Sequence, residues 1–154
     1  MLWVTGRQPT GHRLGCVWLI GRFIDPIAEF AFVAGDVFDY ASLHRGRSFD
    51  ACPAWYRREV RGGVPLCTFE VLLAEFELDR DPVLRRLGRI LYSVDIVKEL
   101  AADPLAAGLL AVTDGALAAT GDDQRLADHG RLVYDAVYAW CQQQQQPAPA
   151  GALR

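Results

Sequence analysis

Apolar positions alternate in two short N-terminal segments and then change to helical spacing for the rest of the chain. Leu2 to Thr5, and Ala28 to Val33 ending at Gly35, have the branched and aromatic content of strands. Between them Leu14, Val17, Trp18 and Phe23 recur at intervals that put them on one face of a helix from about Gly11 to Ile24, with Thr10 as its N-cap. From Thr68 onward everything reads as helix. Asp81-Pro82 and Asp103-Pro104 each place a capping carboxylate before a proline at the first helical position, and Asp122 or Asp123 caps the last helix. On the helix starting at Asp81 the inward stripe is Leu84, Leu87, Leu91 and Val94. Asp95 falls at the edge of that stripe, with Lys98 as its expected ion-pair partner. On the last helix the stripe is Leu126, Val133, Val137 and Trp140, with His129 in line as a hydrogen-bonded core residue.

The pattern predicts an α+β fold, mostly helical, in which a small N-terminal β-sheet is covered by a C-terminal helical layer. Residues 1–141 form the domain, and 142–154, rich in Gln, Pro and Ala, are expected to be a frayed or disordered low-complexity tail. Asp36 to Pro65 has no clear period, is rich in Gly, Arg and Pro, and carries Phe38, Tyr40, Phe49, Trp55 and Tyr56. Short strands are expected near Phe38 and Phe49. The segment is either a functional loop or an insertion without a role.

Composition narrows the function. The 154 residues suit one domain. No long uncharged apolar run and no secretory pattern appears, so a cytoplasmic protein that does not cross a membrane is expected. A net charge of −3 argues against direct nucleic-acid binding by this chain alone. Cys16, Cys52, Cys67 and Cys141 have no CxxC spacing, so a structural zinc site is not suggested. Patterns for common hydrolases, nucleotide sites and metalloproteases are absent from the sequence.

Two places carry candidate chemistry. Gly11, His12 and Arg13 open the first helix, where free backbone amides, a cation and a titratable ring suit oxyanion recognition; an ordinary capped, solvent-facing helix start is the alternative. Cys67 and Glu70 open the helix after the loop. With Thr68 as N-cap, Glu70 complements the helix dipole or acts as a ligand, and a thiol just before a helix N-terminus is placed to be acidic and reactive. His44, Arg45, Arg47, Arg57, Arg58 and Arg61 make the loop locally basic, either as a solvated face or as a guide for an anionic ligand.

Cys67-Thr68-Phe69-Glu70 followed by Val71-Leu72-Leu73, Trp3-Val4-Thr5, His12-Arg13 opening the helix that runs Val17 to Pro26, and Phe49-Asp50 together resemble the C-terminal domain of the bacterial chromate-resistance regulator ChrB, over about residues 2 to 141. The resemblance implies a role in chromate or other oxyanion stress, with the family's regulators coupling this domain to an N-terminal DNA-binding portion. The matching region starts within the first few residues, so a stand-alone module, or one working with a protein partner or as a homo-oligomer, is expected. The family usually shows His, Val, Asp and Arg where this chain has Thr10, Gly11, His12 and Arg13. It also usually shows His-Asp-hydrophobic-Asp where this chain has Tyr92-Ser93-Val94-Asp95. On the resemblance, His12, Arg13, Cys67 and Glu70 are the ligand-binding candidates, and Glu70, Asp95 and His12 are the candidates for holding a divalent metal ion. The first functional reading is an oxyanion- or metal-binding sensing module, with chromate as the example ligand. The alternatives are a metal- or thiol-dependent enzyme acting on an oxyanion, with catalytic residues not identified, or a scaffold that keeps the core and has lost the chemistry.

Overall fold

In the computed structural model, residues 1–97 and 103–145 are described. The fold is α+β and mostly helical. Strand β1 (Leu2–Gly6) lies at the centre of a three-stranded parallel sheet, between β2 (Glu29–Val33) and β3 (Arg47–Ser48). Trp3 stands opposite Phe30 and Arg47, and Val4 opposite Ala31 and Ser48. The period of two then sorts the side chains. Trp3, Phe30, Phe32 and Phe49 join the large helical core, whereas Leu2, Val4, Ala31 and Val33 pack on the other side.

That second side is covered by α2 (Val37–Leu43), through Val37 and Ala41. This corrects the expectation of a strand near Phe38. Asp36 accepts a hydrogen bond from the Asp39 N–H at 2.9 Å, an N-cap that starts a helix in place of a strand. The sheet therefore has helices on both faces. A strand does occur next to Phe49, as expected, and a hairpin follows it: β4 (Glu59–Arg61) pairs antiparallel with β5 (Val64–Leu66). Its turn residues Gly62 and Gly63, at φ of +56° and +81°, adopt the left-handed backbone that such two-residue turns need.

The helical side is organised around α1 (Gly11–Leu19), which continues into a π turn at Ile20–Ile24. Leu14, Cys16, Val17, Trp18, Leu19 and Ile20 are all buried, because α1 is packed by α3 (Thr68–Glu75), α4 (Pro82–Tyr92), α5 (Pro104–Ala119) and α6 (Asp123–Gln145). Burying each such large apolar side chain contributes about 1.5–3 kcal/mol. A π turn at Ser93–Val97 extends α4. The start signals hold: Asp81 accepts from the N–H groups of Val83 and Leu84, Asp103 from that of Leu105, and Asp122 from those of Gln124 and Arg125.

On α6 the buried stripe is Leu126, Gly130, Tyr134, Tyr138 and Cys141. Val133 and Val137 flank it, Trp140 is exposed with Arg86 over its ring, and His129 is exposed. Trp140 and His129 are thus corrected from core to surface positions. The inward face is narrow because Gly130 lets α6 touch Leu14 of α1, where an added Cβ would sit 3.1 Å from Leu14 Cδ2. Helix α6 runs on to Gln145, which corrects the expected disorder over residues 142–145, and the rest of the expected tail, like Lys98, lies outside the described residues. Among the described residues no helix is long and apolar enough to cross a membrane.

The approach of α1 to α4 and α6 is closest at Gly15, where a Cβ would lie 2.7 Å from Leu91 Cδ1 and 3.1 Å from the Tyr134 ring. Both neighbours are fully buried and have nowhere to move. Gly15→Ala should therefore lower stability by about 1–3 kcal/mol in denaturant unfolding, the usual cost of overpacking. A neutral or stabilising result would contradict this packing.

Candidate functional site

Strand β3 delivers the segment on which the site is built. The Phe49 N–H donates to the Val4 carbonyl at 2.9 Å, and the Phe49 ring is buried against Trp3 and Phe30. Asp50 follows at φ +52°, a left-handed backbone that Asp tolerates better than most residues. Its N–H donates to the Tyr56 carbonyl at 2.8 Å, and Tyr56 N–H returns to the Ser48 carbonyl, closing the 50–56 loop. The Asp50 carboxylate is turned inward and only 6% exposed.

Helices α1 and α3 both bring donors to it. Arg13 Nε donates to Asp50 Oδ2 at 2.7 Å, and Arg13 NH2 donates to the Asp50 carbonyl at 3.0 Å. His12 Nε2 lies 2.6 Å from Asp50 Oδ1, and the Thr68 hydroxyl donates to the same oxygen at 3.0 Å. Burial pushes the Asp50 carboxyl up, but the hydrogen bond and charge of His12 and the charge of Arg13 outweigh it and hold the group well below the usual carboxylate range.

Around this cluster lies a cavity of about 520 Å³, lined chiefly by His12, Arg13, Asp50, Arg57, Arg58 and Asp95, with Thr68 and Cys52 completing its polar wall. That volume is within the range of small-molecule clefts. Asp95 closes one side from the π turn after α4, with its Oδ1 3.5 Å from His12 Nδ1 and 3.4 Å from Arg58 NH2. Three arginines thus face two aspartates. Arg57 donates to the Ala54 carbonyl at 2.9 Å and makes no ion pair among the described residues. Arg58 is mostly exposed, and its contact with Asp95 is long.

Of the residues singled out from sequence, His12, Arg13 and Asp95 come together here. Glu70 does not line the cavity: its carboxylate accepts from the Cys67 N–H at 3.1 Å, and its side chain lies beside Gly88 of α4. Burial raises the Glu70 carboxyl above its ordinary value, partly offset by that hydrogen bond and by Arg89. The N-cap of α3 is Cys67, one residue earlier than expected, which frees the Thr68 hydroxyl for Asp50. Cys67 is fully buried, and burial together with the Glu70 charge pushes its thiol well above the ordinary value, the reverse of the acidic thiol expected at a helix start.

Two of the amides expected to be free at the start of α1 are engaged. Gly11 N–H donates to Thr113 Oγ1 at 3.0 Å, Arg13 N–H donates to the Thr10 carbonyl at 3.1 Å, and Tyr134 caps the Gly11 carbonyl at 2.7 Å. A metal centre on His12, Glu70 and Asp95 does not fit. Both ring nitrogens of His12 face carboxylates, and Glu70 is turned to the α3–α4 contact. No group of three or more His, Cys, Asp and Glu among the described residues is disposed to hold a metal ion.

Asp50 and Thr68 line the cavity without having been singled out as site candidates from sequence, and Arg57 and Arg58 were noted only within the basic loop that could guide an anion. One signal pointed to Asp50: it is the only acidic residue between Asp39 and Glu59, in a stretch dense with arginine. The basic loop itself divides, since Arg47 stacks on Trp55 and Tyr56 and Arg61 pairs with Glu59 and Glu75, leaving Arg57 and Arg58 at the cavity.

The family model described as ChrB, C-terminal domain, matches residues 3–141. Protein ChrB of Cupriavidus metallidurans is 35% identical over 136 residues, covering 88% of this chain and 39% of that protein. The chain belongs to the ChrB C-terminal domain family. It spans about two fifths of the length of the curated relative it matches. None of the solved structures matches it.

Two outcomes test the geometry. Asp50→Asn should destabilise by about 3 kcal/mol, the low end for breaking a buried pair, because Arg13 is partly solvated. The folded Asp50 carboxyl sits below its unfolded value of about 3.9, so its stabilisation is full above that pH and is lost as pH falls towards the depressed folded value. The gap between wild type and Asp50→Asn in urea titrations should therefore shrink on acidification below about pH 4; a constant gap would refute the pairing. Second, native protein treated with iodoacetamide should be alkylated at exposed Cys52, with Cys16, Cys67 and Cys141 reacting only on unfolding. Fast native labelling of Cys67 would contradict its burial.

Proposed function

We propose that the chain is an oxyanion-binding sensing module of chromate resistance, and that its ligand site is the arginine-lined cavity over Asp50. The observation that carries this reading is the pair Arg57 and Arg58. Among the described residues Arg57 has no carboxylate partner and Arg58 has only its 3.4 Å contact with Asp95, beside an Arg13 whose charge is already answered by Asp50. Guanidinium groups bind oxyanions through paired donors, and a partly enclosed cleft strengthens that attraction.

In this reading the roles divide by partner. Arg13 and His12 keep Asp50 ionised and in place, so they shape the cavity floor. Arg57 and Arg58 have donors to spare and take the anion. Arg57 belongs to the 50–56 loop's exit and Arg58 contacts Asp95 on the π turn, so an anion gripped by both ties the loop to the helical layer. Such a link is how a binding event reaches another part of a regulator, here by protein contact; the net charge of −3 speaks against these residues gripping nucleic acid themselves.

Equilibrium dialysis with chromate tests the assignment. Arg57→Ala and Arg58→Ala should each weaken binding by about tenfold or more, since a hydrogen bond to a charged group contributes about 1.5–3 kcal/mol. Arg45→Ala, which removes an exposed arginine outside the cavity, should leave it unchanged. Equal chromate affinity in all three variants would reject the site.

A further inference from the structure

The two aspartates of the cavity differ in how well they are satisfied. Asp50 accepts from His12, Thr68 and Arg13, using both carboxylate oxygens. Asp95 has a side chain that is only 9% exposed, yet among the described residues its Oδ1 pairs only at a distance, with Arg58 at 3.4 Å and His12 at 3.5 Å. Among the described residues its Oδ2 is buried without a hydrogen-bond partner. Buried carboxylate oxygens are almost always paired, so an orphan oxygen on a residue that lines a cavity marks a carboxylate that still wants a donor. The terminal torsion of an aspartate is broad, and either oxygen can turn toward a ligand.

We propose that the site selects oxyanions that carry a proton, the Asp95 carboxylate accepting the ligand's O–H while Arg57 and Arg58 hold its charged oxygens. The inference rests on the oxyanion reading of this cavity and narrows its ligand class to hydrogen phosphate, hydrogen arsenate and hydrogen chromate. A protonated anion suits the groups left under-satisfied: its bare oxygens accept from the Arg57 and Arg58 guanidinium groups, and its hydroxyl donates to the Asp95 carboxylate once that group turns. Sulfate, fully deprotonated at neutral pH, has nothing to donate. Its oxygens would meet those of Asp95 lone pair to lone pair in a partly buried setting, where like charges are poorly screened. A site built to hydrogen-bond a ligand hydroxyl discriminates strongly against an analogue that lacks it. Arg58 is well placed to change partners, because its 3.4 Å contact with Asp95 is longer than a good charge-assisted bond.

Isothermal titration of the intact chain with inorganic phosphate, arsenate and sulfate at neutral pH and matched ionic strength tests this. Phosphate and arsenate should bind about 10- to 100-fold more tightly than sulfate, the value of one hydrogen bond to a charged group. In Asp95→Asn the amide offers both a donor and an acceptor, so the preference should collapse to within a few-fold as sulfate binding improves. Wild type binding sulfate as well as phosphate, with Arg57→Ala weakening both, would overturn the selection and leave the oxyanion site standing. A wild-type preference that survives in Asp95→Asn would overturn the role of Asp95. No binding of any of the three anions would overturn the site and the selection together. The wild-type ratio needs no variant, so it decides the matter even if Asp95→Asn does not fold.

Discussion

The buried Asp50 carboxylate is the constraint on which the rest of the site depends. A charge removed from water is tolerated only when it is paired and hydrogen-bonded. Asp50 meets this by drawing Arg13 and His12 from the first turn of α1, and Thr68 from the first residue of α3, onto one group. Three segments far apart in sequence are thereby fixed: the exit of β3, the start of α1 and the start of α3. The left-handed backbone at Asp50 is the conformational cost of aiming the side chain inward.

With Asp50 neutralising Arg13, the remaining electrostatics of the cavity are set by the loop. Arg57 and Arg58 are held by one backbone carbonyl and one long carboxylate contact, so their charge is not consumed by the fold. This bears on the idea that the chain keeps a core and has lost its chemistry. A scaffold has no use for cations so weakly engaged beside a cavity, whereas anion recognition needs them. The thiol chemistry of Cys67, by contrast, has little support, because burial and the nearby Glu70 both oppose its thiolate.

Local pattern made much of the fold legible. Alternation in Leu2 to Thr5 and in Phe30 to Val33 placed two strands, and the Asp-Pro pairs placed two helix starts. Errors arose where a residue's environment is set from a distance. Phe38 looks strand-like, but the Asp36 cap commits the segment to α2. On α6, Gly130 and the tyrosines 134 and 138 form the buried face although they score low as hydrophobes, because Tyr134 bonds Gly11 and Tyr138 bonds Asp81. The site was half legible for the same reason. His12, Arg13 and Asp95 stood out individually, but Asp50 acquires its meaning from partners 37 and 38 residues away, which no local spacing reveals. Glu70 misled because a first-turn carboxylate satisfies its own helix equally well as a ligand would require.

Anomalous diffraction from crystals of the protein grown with arsenate addresses the central claim most directly, because it locates the anion without reference to any variant. The account predicts an arsenic peak inside the cavity, within hydrogen-bond reach of Arg57 and Arg58 and beside Asp95. An ordered arsenate elsewhere on the molecule with this cavity empty, or no ordered arsenate at a saturating concentration, would contradict it.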